Sequence, residues 1–449
     1  MIRRAVMPLL LVLAIVAAAL QPARAMDIVR VVSPGGIVAW LVRDTTLPLL
    51  SLQFRFRGGT AAEPAGLAGV GRFAIDLLDE GAGDLDATAF AQALEERAIT
   101  LDISAGGDNI GGGLRVLDAH RDQGADLLRL MLTAPRFDAA AIERVRARLL
   151  AGYARETDEP RALLRRTFQR LAIGDHPYTV PLAAEIAGTQ AATQEDLRRF
   201  VAARLARDNL TVGAVGNIDA AELGALLDRV FGALPAMSAP FSVPEAHVRL
   251  DGPRTVVVPR ALPQALKMFG GPGIKRADPD WFAAQIVNYV LGGGGFNSRL
   301  MTELREKRGL TYGVSTMIAV PDHGTLMIGS FSTETARAAE ALALVKAEWR
   351  RMAEEGPDAE ELENAKAYLT GSFPLGLDSS TSVARLLVAL QYDGLGIDYV
   401  ARRDALIRGV TLDDARRVAR RLLGGPEMLT VIVGAADGIP DAVIQKTAP

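Results

Sequence analysis

Leu50-Ser-Leu-Gln-Phe-Arg-Phe56 alternates apolar and polar residues, which predicts a half-buried strand. Glu63-Pro64 interrupts the pattern, and a helical run follows from Leu67 to Leu78. The same order returns later in the chain, with Ala265-Leu-Lys-Met-Phe269 as strand, Asp278-Pro279 as breaker and Trp281 to Leu291 as helix. Leu94-Glu-Glu-Arg-Ala-Ile-Thr-Leu-Asp-Ile-Ser104 and Leu304-Arg-Glu-Lys-Arg-Gly-Leu-Thr-Tyr-Gly-Val-Ser315 each read as a helix end entering an alternating strand. Ile142 to Gly152 matches Leu362 to Ser372, and Leu210-Thr-Val-Gly-Ala-Val-Gly216 matches Leu429-Thr-Val-Ile-Val-Gly434 as a terminal buried strand. Such an internal repeat predicts two homologous lobes, residues 26–235 and 248–449. The linker is expected at 236–247, where Pro240 and Pro244 lie among small residues. The expected fold class is α+β: two homologous lobes, each a mostly antiparallel sheet with helices covering one face, facing each other across a cleft.

Composition narrows the chemistry. The 449 residues are 49% hydrophobic and 23% charged, ordinary for packed globular lobes. A net charge of −3 and 5% aromatic residues give neither a basic field nor stacking platforms, which argues against nucleic-acid binding. Cysteine is absent, which excludes disulfides, thiolate metal sites and a cysteine nucleophile. The four histidines, His120, His176, His247 and His323, are too far apart in sequence for an i,i+4 metal pair. Residues 1–25 read as a secretory signal: Arg3 and Arg4, an uncharged run from Ala5 to Leu20, and a small-x-small site at Ala23-Arg24-Ala25. Cleavage after Ala25, a periplasmic location and no stable membrane insertion of the mature chain are the expectations.

Several segments have plain readings. Gly292 to Gly295 lacks the Lys-Ser/Thr of a phosphate loop and is read as a helix end and turn. Arg161 to Arg170, with four Arg, is read as a solvated helix face. His176, in Gly-Asp-His-Pro-Tyr, is read as a hydrogen-bonding turn residue. Gly324 to Phe331 is a candidate edge strand open to a peptide.

The segment Gly292-Gly-Gly-Gly-Phe-Asn-Ser-Arg-Leu-Met-Thr-Glu-Leu-Arg-Glu-Lys-Arg-Gly-Leu-Thr-Tyr-Gly-Val-Ser315 closely resembles the second-half segment of the insulinase/pitrilysin metallopeptidases, in which glycines precede S-R-L and then L-R-E-K-R-G-L-x-Y. Gly174-Asp-His-Pro-Tyr178, Thr193-Gln-Glu-Asp-Leu197 and Asp208-Asn209 fit that family's first half. The family, which includes mitochondrial processing peptidase, builds its zinc site from H-x-x-E-H on the first helix and a downstream Glu. Here Arg72 and Asp76 stand at the two His positions, Ile75 at the general base, and Ala151-Gly152 near the distal ligand. Arginine cannot ligate a cation and isoleucine cannot take a proton, so no metal is expected in this chain. Arg72 and Asp76, four apart, could instead pair with each other.

Arg305 and Tyr312 match the family's Arg and Tyr that reach substrate at the zinc site. A guanidinium can hold a substrate carbonyl, and a phenol can donate to a developing oxyanion. Arg305 has no acidic neighbour at i±3 or i±4. The resemblance therefore implies a non-catalytic subunit of a heteromeric zinc metallopeptidase, with Arg305 and Tyr312 acting in trans on peptide substrate. The zinc is expected in a homologous H-x-x-E-H partner, and no peptidase activity is expected of this chain alone. The alternative is a scaffold or peptide-binding pseudo-peptidase with no catalytic role.

Overall fold

A computed structural model describes residues 26–445 apart from 250, 251, 253, 426, 436 and 437; the expected leader at 1–25 lies outside the described residues. The first half contributes β1 (Ile28–Val32), β2 (Val38–Arg43), β3 (Leu49–Arg57), a small hairpin of β4 (Gly81–Ala82) and β5 (Leu85–Asp86), then β6 (Thr100–Ala105), β7 (Asn109–Leu117) and β8 (Leu210–Gly216). Its main sheet runs β1-β2-β8-β3-β7-β6. The second half contributes β9 (Thr255–Val258), β10 (Gln264–Pro272), β11 (Val314–Ala319), β12 (Leu326–Glu334), β13 (Leu429–Val433) and β14 (Val443–Ile444), in the order β11-β12-β10-β13-β9-β14. Strand for strand, β9, β13, β10, β12 and β11 stand where β2, β8, β3, β7 and β6 stand. Only the β2–β8 and β9–β13 pairs are parallel within these five-strand sets.

The alternation in β3 sorts its two faces. Leu50, Leu52, Phe54 and Phe56 enter the core of the first half, where Phe54 meets Phe231 edge to face at 5.7 Å. Ser51 and Gln53 point the other way, yet they are buried too. What covers them is the Ser380–Tyr392 helix, which comes from the second half. Thr381 Oγ1 lies 3.1 Å from Ser51 Oγ, Arg385 Nε donates to Gln53 Oε1 at 3.3 Å, and Gln391 Nε2 donates to the Val212 carbonyl at 2.8 Å. Leu387 and Leu390 pack with Trp40 and Val215.

The exchange is reciprocal. The Pro160–Ile173 helix of the first half lies on β10 and β13 of the second, with Leu164 and Phe168 clustered with Val258, Val431 and Val433. Helices thus cover both faces of each sheet, where the pattern predicted one. Gly213 in β8 shows how close the contact is: a Cβ there would stand 2.7 Å from the Ala384 carbonyl oxygen and 2.9 Å from Leu387 Cβ. Bulk at this position must push the helix off the sheet.

A polar seam joins the halves beside these contacts. The Tyr178 hydroxyl donates to Asp108, which also accepts the Asp322 N–H at 3.0 Å, and the Tyr392 hydroxyl donates to Asp322 at 2.6 Å. The Arg57 guanidinium lies 3.9 Å from the centre of the Tyr392 ring. Burial first, and then these carboxylate contacts, raise both tyrosine pKa values and keep the phenols as donors. The proline-bearing segment between the sheets is tied down as well: Ala246 N–H donates to the His323 carbonyl at 2.7 Å, and Arg249 N–H to the Ala172 carbonyl at 2.7 Å.

Three local expectations change. The first helix covers only Val70–Ile75, because Gly69 enters it in the left-handed region (φ 87°) and the chain tightens into i→i+3 turns at Leu77 and Leu78. The helix at Trp281 ends at Asn288 and passes into a π-helical turn over Tyr289–Gly293. The candidate edge segment becomes β12, which is paired on both sides; the edge is β11.

Lys267 on β10 is fully buried among the apolar residues of the second half. None of the described residues hydrogen-bonds its Nζ, which lies 4.8 Å from the Phe331 ring centre. Burial pushes its pKa down to about 7. From there up to the unfolded value near 10.4, the unfolded chain holds a proton that the folded chain has released, so this group makes stability rise with pH. Lys267→Met is expected to gain about 1–4 kcal/mol at neutral pH. Urea unfolding at about pH 7 and about pH 9.5 should show the advantage shrinking at the higher pH. A mutant less stable at both would contradict the unpaired amine.

Candidate functional site

The positions of the expected zinc motif sit on and just after the Val70–Ile75 helix. Its first N–H groups are capped from outside: the Glu63 carboxylate accepts from Gly69 and Gly71, both at 2.8 Å. Burial, against these hydrogen bonds, pushes the Glu63 pKa up to about 7. Arg72 is exposed and leans toward the Tyr153 ring, 5.9 Å from its centre. Ile75 is 0% exposed, packed in the core. Asp76 makes no direct ion pair with Arg72, though against the rise that burial causes the Arg72 charge draws its pKa down. Its carboxylate faces Arg148 at 3.6 Å, and Arg148 also reaches the Asp76 carbonyl at 3.5 Å. The reason is positional: Asp76 is the C-cap, where free carbonyls repel a carboxylate and attract a guanidinium.

The distal position offers nothing better. Gly152 lies in the Ala139–Asp158 helix, and a Cβ there would meet no atom within 4 Å. No three His, Asp or Glu side chains converge among the described residues. An arginine, a core isoleucine and an acid already paired with arginine are not a donor set for zinc. The residues present do not fit the metal.

Above this helix opens a cleft of about 570 Å³ with walls from both halves. Arg72, Tyr153 and Glu63 line one side, and Ala319, Leu326 and Ile328 line the other. Two of the arginines read as solvated, Arg165 and Arg166, belong to its wall. Arg166 is held by Glu156 at 3.1 Å and Glu185 at 2.8 Å, and Arg165 by Glu156 at 2.9 Å. Sequence reasoning missed Glu63, Glu156 and Glu185, since Glu63 read only as part of a breaker and no local spacing links the other two. His176 is a turn residue as expected. Its Nδ1 accepts the Tyr178 N–H at 3.1 Å, which leaves Nε2–H to donate to the Pro244 carbonyl at 2.8 Å.

Arg305 and Tyr312 lie away from the cleft and line none of it. Arg305 is in a π-helical turn, Thr302–Glu306, with its guanidinium 4.4 Å from the centre of the exposed Phe296 ring. Leu310 N–H bonds back to the Leu304 carbonyl at 2.7 Å, and the Leu310 carbonyl accepts from buried Thr333 Oγ1 at 2.5 Å. These bonds pin the loop between the two residues. Tyr312 is 82% exposed just before β11, so it is not a core residue of the strand face. No ion pair involves Arg305 among the described residues, whereas Glu303 pairs with Lys307 at 2.6 Å and Arg308 at 2.5 Å. Arg305 and Tyr312 share neither a hydrogen bond nor a ring contact; Arg305 is half-buried against Phe296, and Tyr312 is exposed.

Comparison with known proteins agrees with this geometry. Residues 191–369 match the family described as the peptidase M16 inactive domain. The non-peptidase homologue YmxG of Helicobacter pylori is 28% identical over 357 residues, covering 78% of this chain and 80% of that protein. An uncharacterized zinc protease of Streptomyces coelicolor is 29% identical over 356 residues, covering 74% and 76%. The crystal structure of a peptidase M16 inactive domain from Pseudomonas fluorescens superposes with a TM-score of 0.84 at 25% identity, covering 94% of this chain and all of that one. Along its length the chain resembles the insulinase (M16) family, and residues 72–76 do not carry that family's zinc motif.

Zinc titrated into the purified protein is expected to leave its melting temperature within about 1 °C of the metal-free value, because metal that binds only the folded state must raise it. A saturable, stoichiometric rise would contradict the reading of residues 72–76.

Proposed function

We propose that this chain is the non-catalytic subunit of a two-chain zinc metallopeptidase that degrades peptides. It lends Arg305 and Tyr312 to a homologous partner that carries H-x-x-E-H. The observation that carries the reading is an asymmetry of retention: the positions for metal and base are chemically dead, while an arginine without a carboxylate partner and an 82% exposed tyrosine stand on another face. Exposure on this scale costs solubility and gives the lone chain no packing, so it favours a role toward something outside the chain. In the complex the partner holds the zinc. Arg305 grips a substrate carbonyl, and the Tyr312 hydroxyl donates to the oxyanion as the peptide carbon becomes tetrahedral. The lobes proposed for this work are residues 26–235 and 248–449. Export to the periplasm is proposed from residues 1–25. No helix of the described residues is long and apolar enough to cross a membrane.

The alternative, a peptide-binding or scaffold protein without a catalytic role, draws support from the cleft between the halves. Reconstitution with the zinc-bearing partner separates the two readings. Tyr312→Phe and Arg305→Ala are each expected to lower turnover about 10²–10³-fold, the range for losing one oxyanion donor, while leaving assembly on a sizing column intact. Unchanged turnover in both variants would remove these residues from the mechanism and leave the binding role.

A further inference from the structure

We propose that the cleft between the halves is a carboxylate-binding site, anchored by the Arg72 guanidinium, whose ligand is the C-terminal carboxylate of a short peptide. The proposal concerns this chain alone and does not rest on Arg305 or Tyr312.

Seven charged residues line the cleft: Arg72, Arg165 and Arg166 against Glu63, Asp108, Glu156 and Glu185. Six of them are engaged. Glu156 and Glu185 hold Arg165 and Arg166. Asp108 accepts from Tyr178 and from the Asp322 N–H. Both oxygens of Glu63 accept backbone N–H groups at 2.8 Å. Arg72 is the exception: among the described residues no carboxylate lies within ion-pair distance of its guanidinium, although its charge acts on Asp76 one turn on, whose direct contact is with Arg148 at 3.6 Å. Because Glu63 is pushed up to about 7, it is partly protonated near neutral pH and neutralises Arg72 poorly.

The cleft therefore presents one free guanidinium fork, the group that matches a carboxylate with two parallel hydrogen bonds. A single carboxylate sets one charge opposite the one arginine without a direct ion pair, whereas a dianion such as phosphate would leave a second charge unmatched among the remaining acids. The rest of the wall suits peptide. Ile173, Val180, Leu326 and Ile328 offer apolar surface. A volume of about 570 Å³ lies within the range of small-ligand pockets. At the positions of the expected zinc motif this chain keeps a fixed positive charge, Arg72, and a buried Ile75 where the base is expected, which favours capture without cleavage.

The test is calorimetric titration of the purified protein with the tetrapeptide Ala-Val-Ala-Leu as free acid and as C-terminal amide. The acid is expected to bind saturably and the amide at least about tenfold more weakly, since it lacks the charge-assisted pair. Arg72→Gln is expected to bring the acid down to the level of the amide, with Arg72→Lys in between, because lysine keeps the charge without the fork. Arg72 is exposed, so unchanged melting curves would show that both variants fold. Absence of saturable binding, equal binding of acid and amide, or an unaffected Arg72→Gln variant would overturn the proposal. An amidated peptide with an internal Glu binding as well as the acid would overturn the assignment to chain ends and move the ligand to an acidic side chain.

Discussion

The exchange of helices between the two sheets is the contact on which the remaining geometry depends. Ser380 follows Pro160 by 220 residues, so the two exchanged helices are equivalent members of the internal repeat, each lying on the other half's sheet. Two apolar clusters, one built around Phe168 and one around Leu387, consist of residues from both halves. Neither half can bury its sheet alone. Without the Ser380–Tyr392 helix, the Ser51 and Gln53 face of β3 would return to water together with Trp40 and Val215. The seam of Asp108, Tyr178, Asp322 and Tyr392 then fixes the rotation of one half on the other, and the cleft takes its shape from that angle.

With the halves held in this way, the two chemical regions of the molecule are kept apart. The Val70–Ile75 helix faces into the cleft, capped by Glu63, and its exposed arginine lines the cleft wall. The Arg305–Tyr312 segment is braced from within its own half through Leu304, Leu310 and Thr333, and it contributes nothing to the cleft wall. An enzyme working alone would need its electrophile, base and oxyanion donor around one reacting carbonyl. In the function proposed, the metal and base come from the partner, and Tyr312 is the donor turned toward it.

Much of this was legible in the residues. The alternation in β3 and β10, the repeat, and the replacement of zinc ligands by Arg72, Ile75 and Asp76 follow from local spacing and donor chemistry. The exchange was not legible. In Pro160–Ile173 the four arginines dominate the pattern, and Leu164 and Phe168 announce an apolar face without saying which sheet it covers. The retention of polar Ser51 and Gln53 beside a core strand was the available signal, but it reads equally as a solvated face. The pairing of Asp76 with Arg148 depends on where the helix ends, and Gly69 with the following turns set that end. The mistake over the edge strand has a similar origin, since β11 and β12 carry similar alternation and only pairing distinguishes them.

The central claim is that this chain completes another chain's active site. The most direct test is to purify the tagged protein from its own cells and determine the sequence and stoichiometry of what remains bound. The account predicts a partner of similar mass, present at one per chain, that carries an intact H-x-x-E-H. A homodimer, or a bound protein without that motif, would contradict it.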